Sequence, residues 1–235
     1  MANFYKKSQF GRREQQKKAQ SGRSMIEMLG VLAIIGVLSL VSISAYSQAM
    51  FKYQLNKYTE DFSTFLGNAI SLFPEIRRQH GRGTAGYVFL GSFLANTSML
   101  PDSMHYDQKR NVIYDLFKNK NSLDYHLQGN RSEYRLIIDM QRSDDKISAR
   151  DRAICRNIFL VAKENYDNIY YMSMYNSGSG GAASKSNILM GGLSKANGVR
   201  LKDVGLNEID NACSFCNSKT NCSIVIYLFG GQISG

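Results

Sequence analysis

Apolar residues are spaced in three different ways along the chain, and each spacing predicts its own kind of element. From Ser24 to Tyr46, "SMIEMLGVLAIIGVLSLVSISAY", they occupy every face, and the only charge is Glu27. At about 1.5 Å per residue a helix of this length reaches roughly 34 Å, enough to span the hydrocarbon core of a bilayer. Beyond Tyr46 the pattern becomes one-sided. Phe51, Leu55, Tyr58, Phe62, Phe65 or Leu66, Ala69, Ile70 and Phe73 recur every three to four residues, while Lys52, Lys57, Glu60 and Asp61 are placed on other faces. That is the stripe of an amphipathic helix on which a globular domain packs. Pro74 and the pair Gly81 and Gly83 are read as its end.

The third spacing is short and mixed. "TAGYVFLGSFLANTSMLPDSM" reads as a short helix ending before Pro101. "NSLDYHLQG" and "EYRLIIDMQ" read as two strands joined by a turn around Gly129 to Arg131. "SARDRAICRNIFLVAKENY" reads as a helix that starts near Ser148 or Ala149, with Ala153, Ile154, Ile158, Phe159 and Ala162 on one face. "NIYYMSMYN" reads as a strand, and "SGSGGAASKSN", 177–187, as a flexible loop by composition. "CSIVIYLF" is a strand with a nearly continuous apolar run, which places it inside a sheet. No internal repeat is present. The expected class is α+β: a long N-terminal helix, half membrane-embedded, packed on an antiparallel β-sheet globular domain.

Charge sets the orientation. The chain has 235 residues and a net charge of +10. Residues 1–22 carry Lys6, Lys7, Arg12, Arg13, Lys17 and Lys18 against Glu14, a balance of +5, which is half of the total. All of this charge precedes the apolar run, so the positive-inside bias keeps the N-terminus cytoplasmic and exports the chain beyond Tyr46. Glu27 then becomes the anomaly, because a charge at a membrane helix centre costs about 2.5–3.5 kcal/mol on insertion scales and less near its edge. Three readings of the N-terminus compete: an uncleaved signal anchor, a secretory signal peptide, and cleavage ahead of the apolar run at Gly22. The second fits poorly, since the run is long and its small-residue candidates lie inside it.

The third reading carries a resemblance. A basic leader, Gly22, Glu27 five residues beyond it and the run "IEMLGVLAIIGVL" resemble the N-terminal signature of type IV prepilins and pseudopilins. Gly36 and Tyr46 also fall where that family often has Gly and Tyr, whereas Arg23 stands where it usually has Phe or Met, and no Pro occurs before Pro74. The resemblance implies that 1–22 is a leader removed by a prepilin peptidase between Gly22 and Arg23. It implies that 23–46 is a transmembrane and filament-core helix, and that 47–235 continues the helix into a periplasmic or extracellular head of the pilin fold. In the family, the buried glutamate pairs with the free N-terminal amine of a neighbouring subunit, a role that would fall here to Glu27 and Arg23. The implied function is a structural subunit of a type IV pilus. It would wait in the inner membrane, assemble through that membrane's pilus machinery into a homo-oligomeric filament, and end in an extracellular pilus or a periplasmic pseudopilus. Within the family the alternative is a secretion pseudopilin or a minor pilin; in another class it is a membrane-anchored binding domain that never polymerises.

Cys155, Cys213, Cys216 and Cys222 form an even set, which in an exported chain reads as disulfides rather than a four-thiolate zinc site. Element order is similar to that of the larger, type IVb pilins, in which a cysteine near a late helix bonds to one near the last strand. Cys155–Cys213 with Cys216–Cys222 is the pairing favoured, and Cys155–Cys222 with Cys213–Cys216 stays open beside it. His80, His105 and His126 have no shared spacing that would make a triad or a metal site, and "QHGRGTAG" lacks the lysine and preceding strand of a phosphate loop. Arg77, Arg78, Arg82, Lys109 and Arg110 read as solvated or subunit-contact charges, so no nucleic-acid partner, cofactor, metal or enzymatic activity is expected.

Overall fold

The computed structural model describes residues 10–80, 86–128, 131–140, 148–177, 183–191, 200–214 and 221–232. The chain divides into two compact units, Met1–Tyr53 and Gln54–Gly235. Helix α1, Phe10–His80, contributes its first part to one and its last part to the other. The class is α+β, with a long apolar N-terminal helix and an antiparallel sheet.

In the second unit, α1 buries Tyr58, Phe62, Phe65, Leu66 and Ala69 of the predicted stripe in the core, with Leu55, Ile70 and Phe73 half-buried beside them and Leu72 and Ile76 added to it. Two details differ from expectation. Pro74 does not end the helix, which runs to His80. A proline there removes one amide donor and crowds the carbonyl four residues back, at about 3 kcal/mol. The Pro74 ring is exposed, and Ile76, two residues further on, is buried, so packing beyond the proline offsets that cost. Asp61, expected on a polar face, is buried; it accepts from the Ser103 hydroxyl and pairs with Lys57 Nζ at 2.8 Å. Asn68 Nδ2 donates to the Met99 carbonyl at 2.7 Å. Polar side chains of α1 thereby tie the 97–104 segment to the helix.

The sheet contains β1 (Gly86–Phe89), β2 (His105–Asp107), β3 (Val112–Tyr114), β4 (Lys120–Gln128), β5 (Arg131–Met140), β6 (Tyr171–Ser177), β7 (Ala183–Gly191) and β8 (Asn221–Gln232). Its order is β2-β3-β4-β5-β8-β6-β7, with β1 also pairing β4, and every pair is antiparallel. The strand read as interior is interior: β8 lies between β5 and β6. Strand period divides the faces. Leu123, Tyr125, Tyr134, Leu136, Ile138, Met172, Met174, Ile224 and Ile226 fill the core face together with α1. Tyr134 donates its hydroxyl to the Ala69 carbonyl of α1 at 2.8 Å, and its ring stacks on Phe73. On the opposite face Arg135 grips Asp124 through Nε and Nη2 at 2.9 and 3.0 Å, directly across the β4–β5 pair. Beyond it Tyr227 stacks on Tyr171 at 4.0 Å and shares a hydrogen bond with Tyr175.

The stretch read as one helix before Pro101 holds β1 and a shorter α2, Gly91–Asn96. Periodicity could not separate them, because "GYVF" and "GSFLAN" are both brief and apolar. The loop expected at 177–187 is strand from Ala183 onward, paired with β6; cross-strand hydrogen bonding overrides a loop-like composition. The fine turn at Gly129 and Asn130 lies outside the described residues. Between β3 and β4, the buried Asp115 carboxylate accepts from the backbone N–H of Phe117 and of Asn119 and from the Asn119 and Asn121 side chains; burial still holds its pKa above the ordinary carboxylate value.

Helix α3, Ala149–Glu164, begins at Ser148, whose hydroxyl accepts from the Asp151 amide while Asp151 accepts from the Ser148 amide. It buries Ile154, Cys155, Ile158, Phe159, Val161 and Ala162 in the same core. Helix α4, Leu206–Ser214, was not anticipated, its periodicity being only two turns long. Cys155 of α3 bonds to Cys213 of α4, 58 residues on, with both sulfurs buried. Cys222 is disulfide-bonded as well; Cys216 lies outside the described residues. Lys163 Nζ donates to the Val204 carbonyl at 2.7 Å, a second tie between α3 and the segment leading to α4.

Breaking the Cys155–Cys213 link should therefore cost the head about 2–4 kcal/mol, because the unfolded chain regains the freedom of a long loop. Urea unfolding of the double Cys155→Ser and Cys213→Ser variant checks this; an unchanged midpoint would show that packing, the Lys163 hydrogen bond and the Arg156–Asp210 ion pair hold α4 against α3 without the disulfide.

Candidate membrane and assembly helix

The candidate site is the part of α1 in the first unit. Its described side chains begin at Met25, and every one from Met25 to Met50 is exposed. They include Met25, Ile26, Leu29, Leu32, Ile35, Leu38 and Val41, on all sides of the helix. A helix starting at Met25 is long and apolar enough to cross a membrane, and its most apolar window is not buried anywhere in the chain. Apolar surface of this extent left in water is strongly unfavourable, at about 25 cal/mol per Å². Among the described residues nothing in the chain covers it, as is consistent with a helix that crosses a membrane.

Two polar groups of the segment are satisfied within the helix. Ser39 donates its hydroxyl to the Ile35 carbonyl and Ser42 to the Leu38 carbonyl, both at 2.7 Å. Neither hydroxyl then needs water, and both residues present little more than a methyl-sized surface. A Cβ added at Gly30 or at Gly36 would meet nothing within 4 Å. One regularity escaped the reading by hydrophobic pattern: Glu27, Gly30, Ala33, Gly36, Ser39, Ser42 and Ala45 recur at every third position. On an α-helix each step of three turns by about −60° and climbs about 4.5 Å, so this row winds around the helix instead of following one side. Small residues allow close backbone approach. A winding row offers that approach in a different direction at each level, which suits several neighbours stacked along the helix better than one partner. Glu27 is the single charged member of the row and the one exposed carboxylate of the segment.

Gly22 and Arg23 lie within α1, but their side chains lie outside the described residues, as do those of the rest of 10–24. Cys155, Cys213 and Cys222 belong to the second unit. Among the described residues no group of three His, Cys, Asp or Glu side chains is placed to hold a metal ion. His105 lies in β2 and His126 in β4, separated by β3 in the sheet order.

Compared with protein-family models, with curated proteins and with solved structures, the chain finds no match in any of the three.

If this segment occupies hydrocarbon, Ile35→Arg at its centre should lower insertion by about 2.5–3.5 kcal/mol, roughly a hundredfold in the equilibrium, whereas Glu27→Gln should leave insertion equal or better. A microsomal insertion assay on the two variants reads both; equal insertion of Ile35→Arg and the parent would remove the membrane assignment.

Proposed function

We propose that this chain is the subunit of a pilin-class filament, processed at Gly22 and polymerised through its N-terminal helix. The observation that carries the reading is the combination in α1. A segment apolar on every face, without cover from its own chain, comes after a basic leader and holds one acid five residues past a glycine. A plain membrane anchor needs the apolar length but has no use for Glu27. A filament subunit has one: cleavage after Gly22 creates an amine at Arg23, and a carboxylate at Glu27 of a neighbouring copy neutralises it. Two charges that would each be costly in an apolar core offset one another when paired with good geometry, and a mispaired register would leave both stranded. The pairing thereby sets the axial step between subunits.

Membrane storage and filament packing then use one surface in turn. Lipid covers the helix before assembly, and close-packed helices of other copies replace lipid afterwards, with Gly30, Gly36, Ser39 and Ser42 admitting close approach. The partners in this reading are further copies of the chain, a prepilin peptidase, and the assembly machinery of the inner membrane. An α+β head on an antiparallel sheet, stapled by a disulfide suited to an oxidising compartment, supports export of the second unit.

Intact-mass analysis of protein recovered from the native envelope should show a chain that begins at Arg23, and Gly22→Leu should leave the longer precursor. An intact Met1 in the mature protein, or a new end beyond Tyr46, would refute the processing. Glu27→Ala should spare membrane insertion yet reduce sheared filaments at least tenfold, since the amine loses its partner. Recovery of the parent protein in membranes alone, with none in the sheared fraction, would point to a pseudopilus or to an anchored domain that does not polymerise.

A further inference from the structure

Among the described residues, strand β1 has one open side. It pairs with β4 through Gly86↔Leu127, Tyr87↔His126, Val88↔Tyr125 and Phe89↔Asp124, and among the described residues no strand lies beyond it. The direction of its backbone groups is fixed by one bond. The Leu90 amide donates to the Leu123 carbonyl at 2.9 Å, which continues the same register. Antiparallel pairs alternate between bonded and non-bonded. Val88 and Gly86 are therefore the bonded positions, and Tyr87 and Phe89 turn their N–H and C=O groups to the open edge. No described residue meets those groups.

The side chains repeat the message. Tyr87 and Phe89 are 55% and 48% exposed. Tyr87 lies face to face with His126, across the strands, at 4.0 Å and 7°. The ring normal therefore points sideways, across the sheet. Phe89, displaced along the strand by 6.2 Å, has its ring within 13° of that orientation. The two rings thus stand side by side as a wall along the sheet edge. On the Tyr87 ring His126 covers the inward face, and the outward face lies beside the unpaired backbone groups. Natural sheet edges are usually blunted by lysine, proline or inward charge; "GYVF" carries none.

We propose that β1 pairs with β1 of a second copy of this chain, antiparallel about a two-fold axis at Val88. That register is self-complementary. Tyr87 meets Phe89 of the partner copy twice over, the open backbone groups of each satisfy those of the other, and each outward ring face receives a ring. The four residues are uncharged, the Arg135 guanidinium 5.5 Å from the Tyr87 ring centroid is neutralised by Asp124, and sheet continues from one copy into the next. The contact closes after two copies and cannot by itself propagate a filament, so it stands or falls independently of cleavage at Gly22.

The register makes the test sharp. Val88 faces Val88 as a narrow, non-bonded pair, about 4.5 Å between Cα atoms, inside the usual disulfide range. In the full-length chain in detergent, Val88→Cys under mild oxidation should run chiefly as a covalent dimer on a non-reducing gel, while Lys202→Cys, an exposed control away from β1, stays monomeric. Adding Tyr87→Lys and Phe89→Lys should cut the Val88→Cys dimer at least tenfold. A second measurement does not depend on substituting Val88, which packs partly against the core. Tyr87→Cys mixed with Phe89→Cys should cross-link to each other more than either does alone. Dimer yield for Val88→Cys no higher than for the control, a yield indifferent to the two lysines, no preference in the mixed pair, or cross-linking to a different protein would each overturn the proposal.

Discussion

Hydrogen bonding of β8 to both β5 and β6 is the interaction on which the head depends. The last strand in the chain is inserted between two strands made long before it, and it runs antiparallel to each. Without it, among the described residues, β6 and β7 have no strand pairing with the β4–β5 hairpin, and the edge groups of β5 and β6 face inward unpaired, which buried backbone does not tolerate. Because β5 and β6 must leave a gap of one strand, the chain between them has to cross the sheet, and α3 is that crossing. Because α3 crosses there, Cys155 meets Cys213 on the helix that leads into β8. The disulfide thus closes a loop that contains β6 and β7, and it holds the approach to β8 against α3. Such pairing is distant in sequence, so it is entropically slow to form.

The two faces of the sheet meet different needs. The core face is apolar and takes α1 and α3. The other face carries Asp124, Arg135 and Glu133 among Tyr87, His126, Tyr171 and Tyr227. Arg135 lies within reach of both acids, at 2.9 Å from Asp124 and 3.5 Å from Glu133. A buried carboxylate such as Asp124 is tolerable only because a guanidinium meets it in parallel. Removing either partner strands the other, so the pair specifies the β4–β5 register more than it adds stability. The two-residue period of the strand makes that register strict: a slip of one residue would bring Asp124 into the apolar layer and Tyr125 out of it.

Helix α1 carries two different surfaces on one backbone. In the second unit it has a buried stripe and a polar remainder, and its fate is decided by side chains of the sheet. From Met25 to Tyr46 it has no stripe, only a winding row of small residues in a surface that is apolar on every side apart from Glu27. A one-sided helix is satisfied by its own protein; an all-sided one requires other molecules. This difference, more than length, separates a core helix from a membrane or assembly helix.

The sequence alone determined the elements whose pattern is long or chemically marked. The apolar run from Ser24 to Tyr46, the stripe from Tyr58 to Ala69, a helix starting near Ser148 or Ala149, the β4–β5 hairpin and the interior strand β8 were all legible, because each repeats a period or a start signal within one window. Glu27 and the four cysteines stood out as residue types in costly or reactive settings. Tertiary structure alone decided the rest. It buried Asp61 by bringing Ser103 to it, and it carried α1 past Pro74 because Ile76 had a core to enter. It made strand of Ala183–Gly191 because β6 offered a free edge. It separated β1 from α2 and turned Tyr87 and Phe89 toward an open edge. Each of these depends on a partner far away in the chain, and local periodicity carries no information about which distant backbone will be adjacent.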